Sequence, residues 1–322
     1  MNQLGPNPPV KDILLILVGL GALAGGGELL VRAAVTLGLR AGLSSLVTGL
    51  TIVALGTSAP ELAVSIDAAL VGSPGIAIGN VVGSNFANIA LVLAISAILL
   101  PIDIEPFVLR RDLPVMLLGF AAIAGTLLPD GRIGTLEGLL LLSALLVYVV
   151  WVVRVSRRRQ AGGINIDVAG DIAARESLPG VLARLAGGIL LLSLGGHWLV
   201  EGAVHIAARL GVSEALIGMT VVAVGTSLPE ITASVISILR GHGSMAVGNI
   251  VGSNIWNTFC VLGTAAAITP LPRGDVSVAM LGIMAAAGVA LWIFCATSRQ
   301  INRLEGAALL AGYIGCQAWL FS

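Results

Sequence analysis

The chain has 322 residues, 57% of them hydrophobic and 11% charged, with 17 basic and 17 acidic side chains and a mean hydropathy of +1.02. A soluble domain carries about 25% charged residues, so this composition excludes an ordinary water-soluble fold. Zero net charge, without a basic tail or cluster suited to nucleic acid, excludes a nucleic-acid-binding surface.

The N-terminus, MNQLGPNPPVKD, is polar and proline-rich, and the apolar run behind it is too long for a cleaved signal peptide. Apolar runs then recur near the ~20-residue length that crosses a bilayer as a helix. Breaks at Gly, Pro or charge divide them into ten expected spans, at about 12–35, 43–70, 75–99, 112–128, 135–154, 180–207, 213–239, 244–268, 275–296 and 304–321. The one long polar segment, RVSRRRQAGGINIDVAGDIAARES at 154–177, joins two halves. The chain therefore reads as an all-α polytopic membrane protein: a first five-helix half at 1–155, a linker at 156–178, and a second five-helix half at 179–322. With the linker cytoplasmic, thirteen Arg lie at or near cytoplasmic ends, and only Lys11, Arg132, Arg209 and Arg273 lie outside. Both termini are then external, and nine or eleven helices would spoil the alternation. Cys260, Cys295 and Cys316 sit in apolar runs without metal-like spacing and read as small core residues.

A constant offset of 169 residues relates the halves. TIVALGTSAPE (51–61) returns as TVVAVGTSLPE (220–230) at 8 of 11 positions, and AIGNVVGSNFAN (77–88) as AVGNIVGSNIWN (246–257) at 8 of 12. Pro101 lands on Pro270 without a gap. Five helices per half is an odd number, so the second half enters the membrane upside down. Ten transmembrane helices thus form two inverted five-helix repeats, the plan of secondary transporters, whose substrate site lies near the midplane.

The best-matched residues are polar, which is expensive in lipid. An acid at a helix centre costs about 2.5–3.5 kcal/mol, yet Glu61 and Glu230 recur in the same context. Pro60 lacks an N–H and its ring clashes with the carbonyl of Gly56, which frees backbone oxygens. Ala54, Ser58 and Glu61 share a helix face with Thr57 nearby, and Ala223, Thr226, Ser227 and Glu230 repeat the set. On the next span Asn80, Ser84 and Asn88 form a stripe, matched by Asn249, Ser253 and Asn257. Every donor is oxygen, without His or Cys, which points to Na⁺ or Ca²⁺ rather than Zn²⁺ or Cu⁺. Asn80, Asn85, Asn249 and Asn254 read as glue between helices, and Gly79, Gly83, Gly248 and Gly252 as sites of close helix approach. Glu28, Arg32 and Glu201 read as interhelical or interfacial pairs, Asp67 as solvated, and His197, His205 and His242 as structural or interfacial. Arg157, Arg158 and Arg159 fix topology and meet anionic lipid.

The paired G-T-S-x-P-E and G-N-x-V-G-S-N-x-x-N motifs resemble the α-repeats of the cation/calcium exchanger superfamily, in its prokaryotic sodium/calcium exchanger branch. The resemblance implies a core of helices 2, 3, 7 and 8, across which helices 1 and 6 slide. Position by position it makes Glu61 and Glu230 shared Ca²⁺ and Na⁺ ligands, with Thr57 and Thr226 binding through their carbonyls. Ser58, Ser84, Ser227 and Ser253, with the carbonyls of Ala54 and Ala223, complete the Na⁺ sites, and Asn88 sits at the centre. Asn257, also read as a ligand, stands where many relatives have Asp. It further implies alternating-access antiport of about three Na⁺ per Ca²⁺; on two ionised glutamates this leaves one moving charge, sensitive to voltage by about 2.3 kcal/mol per 100 mV. The expectation is an antiporter of a prokaryotic cell (inner) membrane. Its partners are Ca²⁺, Na⁺ and the lipid bilayer, with no cofactor and no obligate protein partner. It is not an enzyme, since the motifs hold no nucleophile–base–orienter set. A Ca²⁺/H⁺ exchanger and a cation channel are the alternatives.

Overall fold

The computed structural model describes residues 9–128, 131–160, 176–211, 223–274 and 276–320. They are almost entirely helical. In chain order the elements are α1 (Pro9–Arg40), α2 (Ser45–Thr57), α3 (Ala59–Leu70), α4 (Pro74–Leu99), β1 (Ile102–Asp103), α5 (Leu113–Leu127), β2 (Arg132–Ile133) and α6 (Thr135–Gln160). The second half follows with α7 (Leu178–Arg209), α8 (Ala223–Thr226), α9 (Leu228–Leu239), α10 (243–268), β3 (Leu271–Pro272), α11 (Val278–Ser298), β4 (Gln300–Ile301) and α12 (Arg303–Leu320). Among the described residues five helices are long and apolar enough to cross a bilayer, or six when the bent pair α2–α3 counts as one span. The expected spans fall on these helices, except that 213–222 lies outside the described residues. Where the sequence suggested that the first half ends at 155, α6 runs on to Gln160. Arg is a good helix former, and Arg157 is tied down by donating to the Ala41 carbonyl at 2.8 Å. Most of the linker likewise lies outside the described residues.

Lipid-facing surfaces are apolar. Leu139, Leu140, Leu146, Val147 and Trp151 of α6 are all exposed, the arrangement expected when the solvent is hydrocarbon. Inside, one continuous apolar core joins α2, α4, α5, α6, α10 and α11.

The two longest helices, α1 and α7, run antiparallel along a glycine seam. A Cβ on Gly26 would lie 2.9 Å from the Gly188 carbonyl, on Gly19 2.8 Å from the Gly195 carbonyl, and on Gly202 2.6 Å from the Asp12 carbonyl. Small residues let membrane helices approach to backbone contact. At one end of the seam buried Asp12 takes Arg209 at 2.8 Å and His205 at 3.0 Å; at the other Arg40 donates to the Glu176 carbonyl.

Short antiparallel strands cross-link the halves. Ile102 pairs with Ile301 and Asp103 with Gln300, while Leu271 pairs with Ile133 and Pro272 with Arg132. Exchanging Ile102 with Leu271 and Ile133 with Ile301 turns one pairing into the other, so the two links occupy equivalent places.

Candidate functional site

The site is built on two broken helices. At Ser58 the backbone leaves helical geometry (φ −82°, ψ 4°), and α2 and α3 meet at a bend of 46°. Ser227 breaks the α8–α9 segment in the same way (φ −91°, ψ 3°). The prolines explain both. Each sits in the first turn of the following helix, where its missing N–H costs nothing. The break also puts Glu61 and Glu230 in the first turn of a new helix, where unpaired N–H groups and the helix dipole favour negative charge. Sequence reasoning saw that the proline frees carbonyls; the new N-terminus beneath each acid is the second half of that design.

The helices α4 and α10 deliver the asparagines. Both widen into a π-turn that begins on the third residue of the stripe, at Asn88–Val92 and Asn257–Val261. Such turns appear frequently at functional sites, and nothing in the spacing announced them. Glu61, Glu230, Asn88, Asn257, Ser58, Ser227, Ser84, Ser253, Thr57 and Ala54 are all buried. The two carboxylates, one from each half, are close enough to interact electrostatically. Ala223 opens α8, with its side chain outside the described set.

Polar atoms in this cluster divide into bonded and orphaned. Asn80 Nδ2 donates to the Glu61 carbonyl at 3.2 Å and to Ser65 Oγ at 3.0 Å. Asn249 Nδ2 repeats this on the Glu230 carbonyl at 3.5 Å and Ser234 Oγ at 3.0 Å. These asparagines are the glue the spacing suggested. Ser65 and Ser234, which receive them, went unnoticed, although they stand four residues after the acids. Asn85 Nδ2 donates to Thr258 Oγ1 at 3.0 Å, and Asn254 Nδ2 to the Ile250 carbonyl at 2.8 Å. By contrast Glu61 Oε2, both carboxylate oxygens of Glu230, Ser58 Oγ and Asn257 Oδ1 are buried without a hydrogen-bond partner. A buried carboxylate without a donor is costly, and a bound cation or a proton would satisfy it. The donor set, all oxygen, matches a hard cation.

The sequence and the fold have a direct parallel among known proteins. The sequence model of the sodium/calcium exchanger protein family matches residues 11–154 and 180–322. The chain belongs to that family. It is 37% identical to the putative antiporter CaxA of Alkalimonas amylolytica over 96% of this chain and 98% of that one. It is 34% identical to the sodium/calcium exchanger MaX1 of Methanosarcina acetivorans over 96% and 98%. The solved structure of the sodium-calcium exchanger NCX_Mj, soaked with zero Na⁺ and Ca²⁺, superposes with a TM-score of 0.79 at 31% identity, covering 96% of this chain and 98% of that one.

In this membrane exchanger the described residues show how the α10 side of the site is closed. Around α10, Asn249, Gly252 and Ser253 are buried. There α2 lies against α10 so tightly that a Cβ on Gly248 would strike the Leu46 carbonyl and one on Gly49 the Met245 carbonyl. Thr57 Oγ1 closes the contact, donating to Asn249 Oδ1 at 3.1 Å and lying 3.3 Å from Ser253 Oγ, while Trp256 Nε1 reaches the Leu50 carbonyl at 3.0 Å. Around α4, Asn80 is half-buried and Gly83 exposed.

Several charged groups away from the site are paired. Glu28 binds Arg32 on α1 and, across to the end of α9, Arg240. Glu201 lies 3.8 Å from His197. Asp67 is exposed. Arg159 lies over the Phe107 ring at 3.7 Å. Buried Asp112 takes Arg111 on both oxygens, at 2.7 and 3.0 Å, and the Tyr148 hydroxyl at 2.9 Å. This packing network was missed in the sequence, where Tyr148 lies 36 residues from Asp112.

Proposed function

We propose that this chain exchanges Na⁺ for Ca²⁺ across a prokaryotic cell membrane by alternating access, electrogenically, at about three Na⁺ per Ca²⁺, which moves one charge worth about 2.3 kcal/mol per 100 mV. Its ten spans form two inverted five-helix repeats, with both termini external and the linker cytoplasmic. The observation that carries the reading is the pair Glu61 and Glu230: both buried, interacting, and with carboxylate oxygens that lack a donor. Two ionised carboxylates balance one Ca²⁺. Asn88 and Asn257, the hydroxyls of Ser58, Ser84, Ser227 and Ser253, and the carbonyls of Thr57, Thr226, Ala54 and Ala223 supply the neutral oxygens. The bridge from Thr57 Oγ1 to Asn249 and Ser253 fits a role for Thr57 through its carbonyl, since the hydroxyl is already committed. The exchangeable strand pairings and the matched helix breaks support the repeat.

Reconstituted vesicles test it. A Na⁺ gradient drives uptake of radiolabelled Ca²⁺, the flux follows an imposed membrane potential, and Glu61→Gln or Glu230→Gln removes it. Uptake driven equally well by a pH gradient without Na⁺ makes the chain a proton exchanger instead. A Ca²⁺ current with no counter-ion makes it a channel.

A further inference from the structure

Among the described residues the Asn257 side chain finds no hydrogen-bond partner: its Nδ2 and Oδ1 are both buried and orphaned. Its direction is therefore set by the backbone of the π-turn that it opens, Asn257–Val261. The side chain is also neutral. A carboxylate attracts a cation as a charge. A carboxamide attracts it as a dipole, and that attraction fades as the C=O turns away. An Asn in this place has to be aimed.

The next residue is tied down. Thr258 is fully buried, and its hydroxyl accepts from Asn85 Nδ2 of α4 at 3.0 Å. Its methyl presses on α5, where a Cβ on Gly119 would come within 2.8 Å of it. Asn85, also fully buried, rests with Nδ2 3.8 Å from the sulfur of Met284 on α11. A buried carboxamide is costly unless it is bonded, and here the bond crosses from one half of the chain to the other.

The repeat shows that the tie is made on one half only. The offset of 169 residues carries Asn85 onto Asn254 and Ile89 onto Thr258. Ile89, as deeply buried as Thr258, offers no side-chain acceptor. Asn254 Nδ2 falls back on the Ile250 carbonyl of its own helix at 2.8 Å. Both π-turns form, so the bond does not create one. It fixes one of the two, on the half where Asn257 stands.

We propose that Asn85 and Thr258 are positioning residues for cation binding. The bond between them holds the turn that aims the Asn257 carbonyl at the ion, and supplies by rigidity what an acid at 257 would supply by charge. This deepens the exchanger reading and rests on it. Neither residue touches the ion.

Calorimetric Ca²⁺ titration of the purified protein compares wild type, Thr258→Val and Thr258→Ser. Valine keeps the shape and loses the hydroxyl; serine keeps the hydroxyl. Ca²⁺ affinity falls several-fold in Thr258→Val and returns in Thr258→Ser. In the Asn257→Asp background Thr258→Val costs markedly less, because the two residues act as a unit and a charge needs less aiming. A tie that serves packing alone lowers the melting temperature and leaves the affinities as they were. Unchanged affinity in Thr258→Val, a loss that serine does not restore, or the same loss in the Asn257→Asp background overturns the proposal. A wild type that binds no Ca²⁺ defeats the exchanger reading instead, and the tie is then judged by hydrogen exchange. Backbone amides of Asn257–Val261 exchange faster in Thr258→Val than in wild type, while those of Asn88–Val92 keep their rate. Unaltered exchange at Asn257–Val261, or an equal rise in both turns, overturns it.

Discussion

Asn80 and Asn249 each hold the segment that carries an acid, through the backbone carbonyl of the glutamate itself and a serine one turn on. Replacing Asn249 by Leu keeps the volume, strands Ser234, and takes from the Thr57 hydroxyl the acceptor Asn249 Oδ1, leaving it Ser253 Oγ and the Ala54 carbonyl. Each stranded buried group costs about 1–3 kcal/mol, so Asn249→Leu lowers the melting temperature in detergent more than Asn80→Leu, which strands only Ser65 in a half-buried place. Equal melting temperatures for the two variants would contradict the assignment. The residues proposed as ion ligands were legible in the sequence because an acid or carboxamide in an apolar span is too costly to persist without a polar partner. The residues that position them, Ser65, Ser234 and Thr258, were not, since a serine or threonine bonded to its own helix looks the same in sequence as one bonded to a neighbour.

The helix breaks and the glycine contacts belong to the scale of elements. Pro60 leaves the Gly56 carbonyl without its helical N–H and starts α3 under Glu61. Pro60→Ala restores that hydrogen bond and favours a straight α2–α3. The expected result is weaker Ca²⁺ binding in a titration with little loss of thermal stability; wild-type affinity would show that the break is incidental. Gly248 is a different case, because its Cβ would strike the backbone carbonyl of Leu46. Gly248→Val therefore separates α2 from α10, and is expected to lower the melting temperature and abolish uptake; wild-type stability and uptake would contradict the contact. Periodicity placed most helices within a few residues of their observed limits, because Gly and Pro punctuate the chain. It missed the π-turns at Asn88 and Asn257, because a single extra backbone residue per turn leaves no compositional mark.

At the scale of the whole molecule, α1 and α7 form one unit, zipped by backbone contact at Gly19, Gly26, Gly188, Gly195 and Gly202. Outside this pair, Glu28 fastens α1 to the end of α9 through Arg240. The repeat puts His197 and Val71 at the corresponding places, so no mirror-image tie exists and the bond favours one arrangement of unit and core. Both partners are partly exposed, at 28% and 51%, so the tie is worth no more than about 1 kcal/mol, or about fivefold in a population ratio. Arg240→Gln is expected to raise turnover modestly at low ionic strength and to remove the rise that salt produces in the wild type; a variant with unaltered salt dependence contradicts this. The sequence revealed that Glu28 would pair but not with what, because the partner is 212 residues away and depends on how the α1–α7 unit sits on the core.

The central claim is that Glu61 and Glu230 hold one cation between them, one acid from each half. Calorimetric titration of the purified protein with Ca²⁺ tests this most directly. The account predicts one Ca²⁺ per chain, displaced by Na⁺, and loss of that site in either Glu61→Gln or Glu230→Gln. Two Ca²⁺ per chain with one lost in each variant, or a single variant that keeps wild-type affinity, would contradict it.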